Sequence, residues 1–473
     1  MRNSGYLGLD IALSALTGVV TLSLLTRLYP VRAVGLSAAA VAATSLIASI
    51  SQLGLNYSLV RFLPTTPRRR DLINSVLTVS GFVALIASAI FLCLPGTAKL
   101  YALGGVAFAA MFLLSTTLNT GTSLIQNVYV ADRATRTTVR ANMISSVAGL
   151  AAPAAFLFLG TAGAYMAQGV VPTVLDFAIL AVVLARSGHR FRPMLNIDAT
   201  RDLWRFSIGT YIAGLIGGVP LMALPLIILS RFGAVQNAYW YTAMAGASLL
   251  FFMPGAVSQA LLAEAVHRPL ERRVLVRKSA ALVIAVMTPV LVFAYIAAPL
   301  GLALLGHHYE VDSLPILRLL IVAAAMTSLN YITGTILYLA KWTLPITVIN
   351  ALDAIIVLGL ALVWAHDARD VAIAWVIGEV PNVVLFALFA MLSLRKVQWR
   401  WELLGEEPAE AKTHSGAQGY ASRESQQAGL EMLLSLATHS TRMPLYELAK
   451  RPSSQNRRPL PTRPQSGEGT SGS

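Results

Sequence analysis

The sequence predicts an all-α, polytopic membrane protein with about twelve transmembrane helices in two parallel-repeat six-helix bundles around a central cavity. Hydrophobic residues are 56% of the chain and charged residues only 12%, about half the charged fraction of a soluble domain. Uncharged runs such as 33–60, 100–131 and 232–263 exceed the roughly 18 residues at which a membrane span is expected. Because lipid offers no hydrogen-bond partners to the backbone, these runs are expected to be helices.

The apolar segments are assigned in order to twelve spans: 6–27, 33–55, 72–95, 101–124, 141–161, 164–185, 206–229, 238–262, 279–299, 315–339, 343–365 and 371–394. The apolar stretch of the first span is too long for a cleaved signal peptide, and no small-residue cleavage site follows it. The only cysteine, Cys93, lies in the third span. A disulfide within one chain and a cysteine metal site are therefore excluded.

The distribution of basic residues predicts the orientation in the membrane. The formal net charge is +14, and clusters occupy the connections 61–70, 133–140, 186–205 and 268–278. The opposite side holds Arg27, Arg32, Lys99, Arg231, Arg318 and Arg369. Cytoplasmic loops carry the Lys/Arg excess, so both termini are predicted to be cytoplasmic. The charge is thus interpreted as an orientation signal, and no nucleic-acid partner is expected.

Internal similarity predicts a duplication. Residues 24–28 resemble 228–232, Asn142 matches Asn350, and 169–172 (GVVP) resemble 378–381 (GEVP), all at nearly the same separation. Six spans fit in that separation, so the copies have the same orientation, which is a known plan of membrane transporters. We expect bundles at 1–195 and 196–395, followed by a cytoplasmic, mostly disordered tail at 396–473 that is rich in Ser, Gln, Gly and Pro.

Charged residues inside spans are costly and are treated as functional candidates. The acidic ones are Asp10, Asp176, Asp353 and Glu379, which we interpret as ion-coupling candidates. Pairing with hydroxyls or backbone between packed helices is the other interpretation of Asp176, Asp353 and Glu379. For Asp10, near the cytoplasmic end of its span, the other interpretation is that the side chain reaches the membrane interface.

Three basic residues are candidates for contact with a phosphate of the substrate. Arg61 follows the second span and is expected at the cytoplasmic mouth of the cavity. Arg318 lies near the outer end of the tenth span, and Lys341 lies near the inner end of the same span. Helix anchoring is the alternative role for Arg318 and Lys341.

Prolines mark candidate kinks. Pro220 and Pro225 lie in the seventh span, and Pro172 and Pro381 lie at matched positions of the two halves. Proline removes a helix hydrogen bond, and interrupted helices often line transporter sites, although proline is also tolerated as ordinary packing.

Several segments resemble the polysaccharide-export (oligosaccharidyl-lipid) flippases of the multidrug/oligosaccharidyl-lipid/polysaccharide exporter superfamily. Residues 26–36 (TRLYPVRAVGL) are similar to the family's link between its first two spans, with arginine, proline and glycine at the family spacing. Residues 52–63 (QLGLNYSLVRFL) resemble the end of its second span, and 204–207 and 239–254 are also similar. The resemblance covers about residues 5–395 and is poorly specific for substrate.

The resemblance implies a V-shaped pair of bundles in a bacterial inner membrane. Their cavity would open alternately to each side and accept the head group of an undecaprenyl-diphosphate oligosaccharide for surface polysaccharide biosynthesis. A polar path is needed because a diphosphate and sugar hydroxyls cross hydrocarbon only at high cost. The implied partners are the lipid-linked sugar, the bilayer, and a polysaccharide polymerase and glycosyltransferases of the same pathway.

Two other functions are compatible with the sequence. An ion-coupled drug or cation exporter of the same superfamily would use acidic cavity residues, and a membrane-embedded polymerase or ligase would be an enzyme. The longest outer loop, about 300–314, is short for a polymerase. The sequence shows no P-loop and no metal-ligand or nucleophile motif, so we predict no enzymatic activity, no cofactor and no metal.

Overall fold

The computed structural model describes residues 17–194, 197–267, 272–340 and 342–404, and these are helical with short connections. Nine helices of this described part are long and apolar enough to cross a membrane. The α-helices are α1 (Thr17–Leu28), α2 (Val31–Ser51), α3 (Leu55–Phe62), α4 (Arg69–Cys93), α5 (Val106–Ala131), α6 (Thr135–Gly149), α7 (Ala152–Ala155), α8 (Thr161–Tyr165), α9 (Val171–Arg186), α10 (Ile197–Phe232), α11 (Ala234–His267), α12 (Arg272–Ala303), α13 (His307–Leu339), α14 (Thr343–Val363) and α15 (Ala368–Leu404).

Apart from the fifth, each predicted span lies mostly in helix where the structure describes it, which confirms the all-α membrane fold. Two boundaries differ from the prediction. The fifth span was expected at 141–161, but α6 ends at Gly149, and short turns follow around Pro153 and Gly160. The expected outer loop at 300–314 shrinks to residues 304–306, because α13 already begins at His307.

Glycines with positive φ lie at the turns between two pairs of helices. Gly233 has φ +92°, and its N–H donates to the carbonyl of Ile228, so α10 ends one residue earlier, at Phe232. Gly54 has φ +79° and separates α2 from α3. A left-handed residue after the last helical turn is a common helix terminator, and glycine adopts it without steric cost.

The ends of the helices fall into two groups. The basic-poor end contains Arg27, Lys99 and Arg231, each bound to carbonyls of another helix end. A buried apolar cluster near this end joins α1 and α2 to α10 and α11, with Leu25, Ile228 and Trp240 among its members. We call the opposite end, where the arginine clusters lie, the basic-rich end.

The connection after α9 is attached to α4 at the basic-rich end. The side-chain amide of Asn74 donates to the carbonyl of Arg190 over 3.0 Å, and Asn74 Oδ1 lies 3.0 Å from His189 Nε2. One turn further along α4, the hydroxyl of Thr78 accepts from the N–H of Met194 over 3.2 Å. The start of the link between the two sequence repeats is therefore held on the first repeat.

Candidate functional site

The larger of two cavities that are lined by carboxylates lies within the predicted second repeat and has a volume of about 660 Å³. Helices α10, α11, α13, α14 and α15 all contribute to its wall. Aromatic rings such as Trp375 and Phe386 line it together with Asp353, Glu379 and several amides and hydroxyls. A cavity with apolar walls and a few convergent polar groups has the usual character of a ligand site.

Glu379 is the most tightly held carboxylate of this cavity, with a 5% exposed side chain. Thr327 Oγ1 donates to its Oε1 over 2.7 Å, and Asn330 Nδ2 donates to its Oε2 over 2.7 Å. Both donors lie on α13, one helical turn apart, so that they face the same point of α15. These two hydrogen bonds fix the orientation of the carboxylate in the cavity wall.

Asp353 on α14 lines the same cavity as Glu379. A Cβ atom at Gly378 would lie 2.9 Å from Asp353 Oδ1, so this carboxylate lies against α15 beside Glu379. Among the described residues, three buried oxygens of this wall have no hydrogen-bond partner: Asp353 Oδ1, Asn330 Oδ1 and Asn382 Oδ1. Clustered acceptors of this kind suit a cation or the donor hydroxyls of a ligand.

A second cavity, of about 420 Å³, lies mainly within the first repeat. Asp176 on α9 accepts a hydrogen bond from Ser145 Oγ on α6, and Asn142 and Gln168 line the same space. Tyr241 of α11 is the second repeat's contribution to this wall. The matched residues Asn142 and Asn350 thus line one cavity each.

Of the predicted basic residues, Arg61 and Arg318 line neither cavity. Arg318 is half-buried on α13, with its guanidinium 5.0 Å from the ring centre of Tyr295 on α12. Arg61 is exposed on α3, 5.7 Å from the ring of Phe62. Lys341 and Asp10 lie outside the described residues. Among the described lining residues of the two cavities there is no lysine or arginine.

The predicted kinks lie beside the cavities. Pro220 lines the larger cavity, and Pro225 follows inside the same helix. Pro172 lines the smaller one, two residues after the end of a π-helical segment, Met166–Val170. Pro381 lies inside α15, two residues after Glu379. A π-helical turn is frequent at functional sites, and here it places Gln168 in the cavity wall.

Thr327, Asn330 and Gln168 were not singled out from the sequence. Each is a polar residue within a predicted apolar span, and a search for neutral polar residues in spans would have found them. The sequence could not predict that Glu379 on α15 accepts hydrogen bonds from residues of α13, because no local spacing relates the two helices.

The fold is similar to those of solved transporters of the MOP superfamily. The structure is similar to the lipid II flippase MurJ in an inward closed conformation (TM-score 0.67, 11% identity, 81% of this chain and 87% of that one). It is also similar to a multidrug resistance MATE family transporter in an inward-facing conformation (TM-score 0.64, 16% identity, 81% and 95%). A MOP superfamily transporter from Pyrococcus furiosus gives a TM-score of 0.58 at 14% identity, over 82% and 94% of the chains.

The family follows from the sequence comparison. The model of the family described as "Polysaccharide biosynthesis protein" matches residues 1–243, more than half of the chain. The chain therefore belongs to this family, and the resemblance found in residues 26–36 and 52–63 is confirmed. A comparison with curated proteins gave no match.

Proposed function

We propose that this protein flips undecaprenyl-diphosphate-linked oligosaccharide across the bacterial inner membrane for surface polysaccharide biosynthesis. The observation that carries the proposal is its membership of the polysaccharide biosynthesis family, and the MOP transporter fold agrees with it. The two repeats, 1–195 and 196–395, act as bundles that rock around the cavities, and residues 396–473 form a cytoplasmic tail.

The cavity chemistry suits sugars better than phosphate. Unpaired oxygens of Asp353, Asn330 and Asn382 accept hydrogen bonds from sugar hydroxyls, and Trp375 offers an aromatic face. A diphosphate beside Glu379 and Asp353 would meet like charge. In this proposal the sugars enter the cavity while the diphosphate stays at an arginine-rich mouth, where Arg61 lies. Arg318, in the first half of α13, and Lys341, which follows this helix in the sequence, are the further proposed phosphate contacts.

Ion coupling is the proposed role of the buried carboxylates. Glu379 and Asp353 share one cavity and Asp176 occupies the other, so an ion or proton bound at either place changes the charge of the wall next to the cargo. Asp10 is a further candidate in the first helix. The hinge prolines Pro172, Pro220, Pro225 and Pro381 let the lining helices move without breaking additional hydrogen bonds.

One observation favours a different cargo, an organic cation. The described walls of both cavities carry carboxylates and no lysine or arginine, as a site for a cationic drug requires. A membrane-embedded polymerase or ligase, the enzyme alternative, has less support, since the connection between α12 and α13 is limited to residues 304–306.

A deletion strain tests the proposal. Loss of the protein should leave sugar-diphosphate lipid on the cytoplasmic leaflet while its synthesis continues, and surface polysaccharide should disappear. Wild-type protein should restore export, whereas a level-matched Glu379→Gln variant should not. Unchanged polysaccharide together with higher retention of a cationic dye would instead establish the drug exporter.

A further inference from the structure

The two repeats touch at the basic-poor end through an unusually close backbone contact. A Cβ atom at Gly35 of α2 would lie 1.7 Å from the carbonyl oxygen of Ala234, the first residue of α11. No residue other than glycine fits there without separating the helices. One turn into α11, the buried side-chain amide of Asn237 donates to the carbonyl of Gly35 over 2.7 Å.

This amide is only half satisfied. Asn237 Oδ1 is buried and has no hydrogen-bond partner among the described residues. A buried acceptor without a partner costs free energy in the closed arrangement. The free energy gained from the hydrogen bond between Asn237 and Gly35 is therefore partly offset by the unpaired oxygen of the same side chain. A low net free energy suits a contact that must open and close.

Two basic side chains of the first repeat donate hydrogen bonds to the second repeat at the same end. Lys99 Nζ of the first repeat donates to the carbonyls of Leu229 over 3.1 Å and Ser230 over 2.7 Å, in the last turn of α10. Arg27 Nε donates to the carbonyl of Leu304, directly after α12, over 3.0 Å. The last carbonyls of a helix lack partners within the helix and carry partial negative charge, so they favour a cation.

The repeat counterpart of Arg27 behaves differently. Arg231 occupies the equivalent position in the second repeat, but its guanidinium donates to Ala361 over 2.8 Å and to Leu362. Both carbonyls belong to its own repeat, at the end of α14. The same residue type thus crosses between repeats at one position and stays within a repeat at the other.

Contacts between the repeats at the basic-rich end involve α10. Tyr211 donates to the carbonyl of Ile50 over 2.8 Å, and the hydroxyls of Ser58 and Ser207 are 2.5 Å apart. The two ends therefore use different sets of residues, so that one set can be weakened by mutation without touching the other.

We propose that Asn237 with Gly35, Lys99 and Arg27 form a latch that holds the two repeats together at the basic-poor end. Release of this latch is the step that opens the cavities toward that side. The inference rests on the proposed transport by rocking bundles, but it does not depend on the cargo or on which side of the membrane the latch faces.

Distances between spin labels test the latch. In a Cys93→Ser background, labels at Phe158→Cys and His308→Cys report on the basic-poor end, and labels at Arg186→Cys and Lys278→Cys report on the basic-rich end. All four positions are exposed. Asn237→Ala combined with Lys99→Gln should lengthen the first distance by about one helical turn, ~5 Å. The second distance should stay unchanged or shorten.

Matched controls separate a latch from general loosening. Gln236→Ala removes the neighbouring amide, which binds the N–H of Ala368 within the same repeat over 3.2 Å, and Arg231→Gln removes the counterpart cation. Neither should move the first distance. Equal lengthening in these controls, equal lengthening at both ends, or no change in the folded double variant would overturn the latch. These distances are measured without substrate, so failure to flip a sugar lipid would leave this result intact.

Discussion

Glu379 shows at the residue scale how a buried carboxylate is held ready for an ion. Its two oxygens accept from Thr327 and Asn330, and the carboxylate of Asp353 lies in the same cavity wall. The negative charge is therefore stabilised by hydrogen bonds and opposed by burial and by a like charge. Such a group responds to whether a cation or water enters the cavity.

Replacing Glu379 by glutamine should stop coupling without unfolding the protein. Glutamine Oε1 can accept from Asn330, and its amide can donate to the hydroxyl of Thr327, which also reaches the carbonyl of Ala323. We expect transport to fall by roughly tenfold or more, at an unchanged amount of protein in the membrane. Transport in vesicles checks this, with the half-exposed Glu310→Gln as control. Normal export by a Glu379→Gln, Asp353→Asn double variant would rule out this pair and leave Asp176.

The cost of intramembrane charge was enough to find Asp176, Asp353 and Glu379 from the sequence. It could not say that Asp353 and Glu379 share one cavity while Asp176 occupies another, because this depends on how separate helices pack. It also pointed to Arg318, whose guanidinium packs on Tyr295 and lines neither cavity. Charge within a span thus pointed to three carboxylates that line cavities, but it did not identify the residues that contact them.

At the scale of elements, α14 and α15 pack tightly at Gly378. A Cβ atom there would lie 2.4 Å from Val357 Cγ2 and 2.9 Å from Asp353 Oδ1. Gly378→Ala should destabilise the protein by about 1–3 kcal/mol through overpacking. Gly359→Ala on α14 meets nothing within 4 Å and should be stabilising by about 0.5–1 kcal/mol, because glycine weakens helices. Thermal unfolding in detergent compares the two, and equal melting temperatures would contradict the packing.

The attachment of residues 189–194 to α4 predicts a pH dependence of stability. The His189 side chain is 8% exposed, and burial, with Arg70 and Arg69 nearby, lowers its pKa below 6.5. Below that pH the unfolded chain binds a proton that the folded protein resists, so stability falls as the pH drops. In His189→Gln the loss of melting temperature between about pH 7 and pH 5 should be smaller. An unchanged pH profile would show that His189 does not contribute.

Helix positions were predictable because uninterrupted apolar runs leave the chain few alternatives in lipid. The main exception is the fifth span, where α6 already ends at Gly149 and short turns follow around Pro153 and Gly160. Apolar composition alone did not show this break, since the residues around it are still alanine, leucine and phenylalanine. The early start of α13 at His307 was missed for the opposite reason, as its first turn is polar.

For the whole molecule, the arginine clusters predict which end faces the cytoplasm. In a Cys93→Ser background, single cysteines at Arg186 and Lys278 should be protected from an impermeant thiol reagent in intact cells, and a cysteine at His308 should react. The connections 61–70, 186–205 and 263–278 would then be cytoplasmic and 300–313 external. Labelling of Arg186→Cys in sealed cells would contradict this orientation and would place the basic-rich end outside the cell.

The most direct measurement is flipping by the purified protein in sealed proteoliposomes that contain undecaprenyl-diphosphate oligosaccharide. An external glycosidase that cannot cross the bilayer cleaves only the sugars in the outer leaflet. With the wild-type protein and an imposed ion gradient, we predict that the inner-leaflet pool also becomes cleavable, and that Glu379→Gln vesicles behave like protein-free ones. Wild-type vesicles that leave the inner pool uncleaved, yet take up or expel an organic cation along the same gradient, would contradict sugar-lipid flipping.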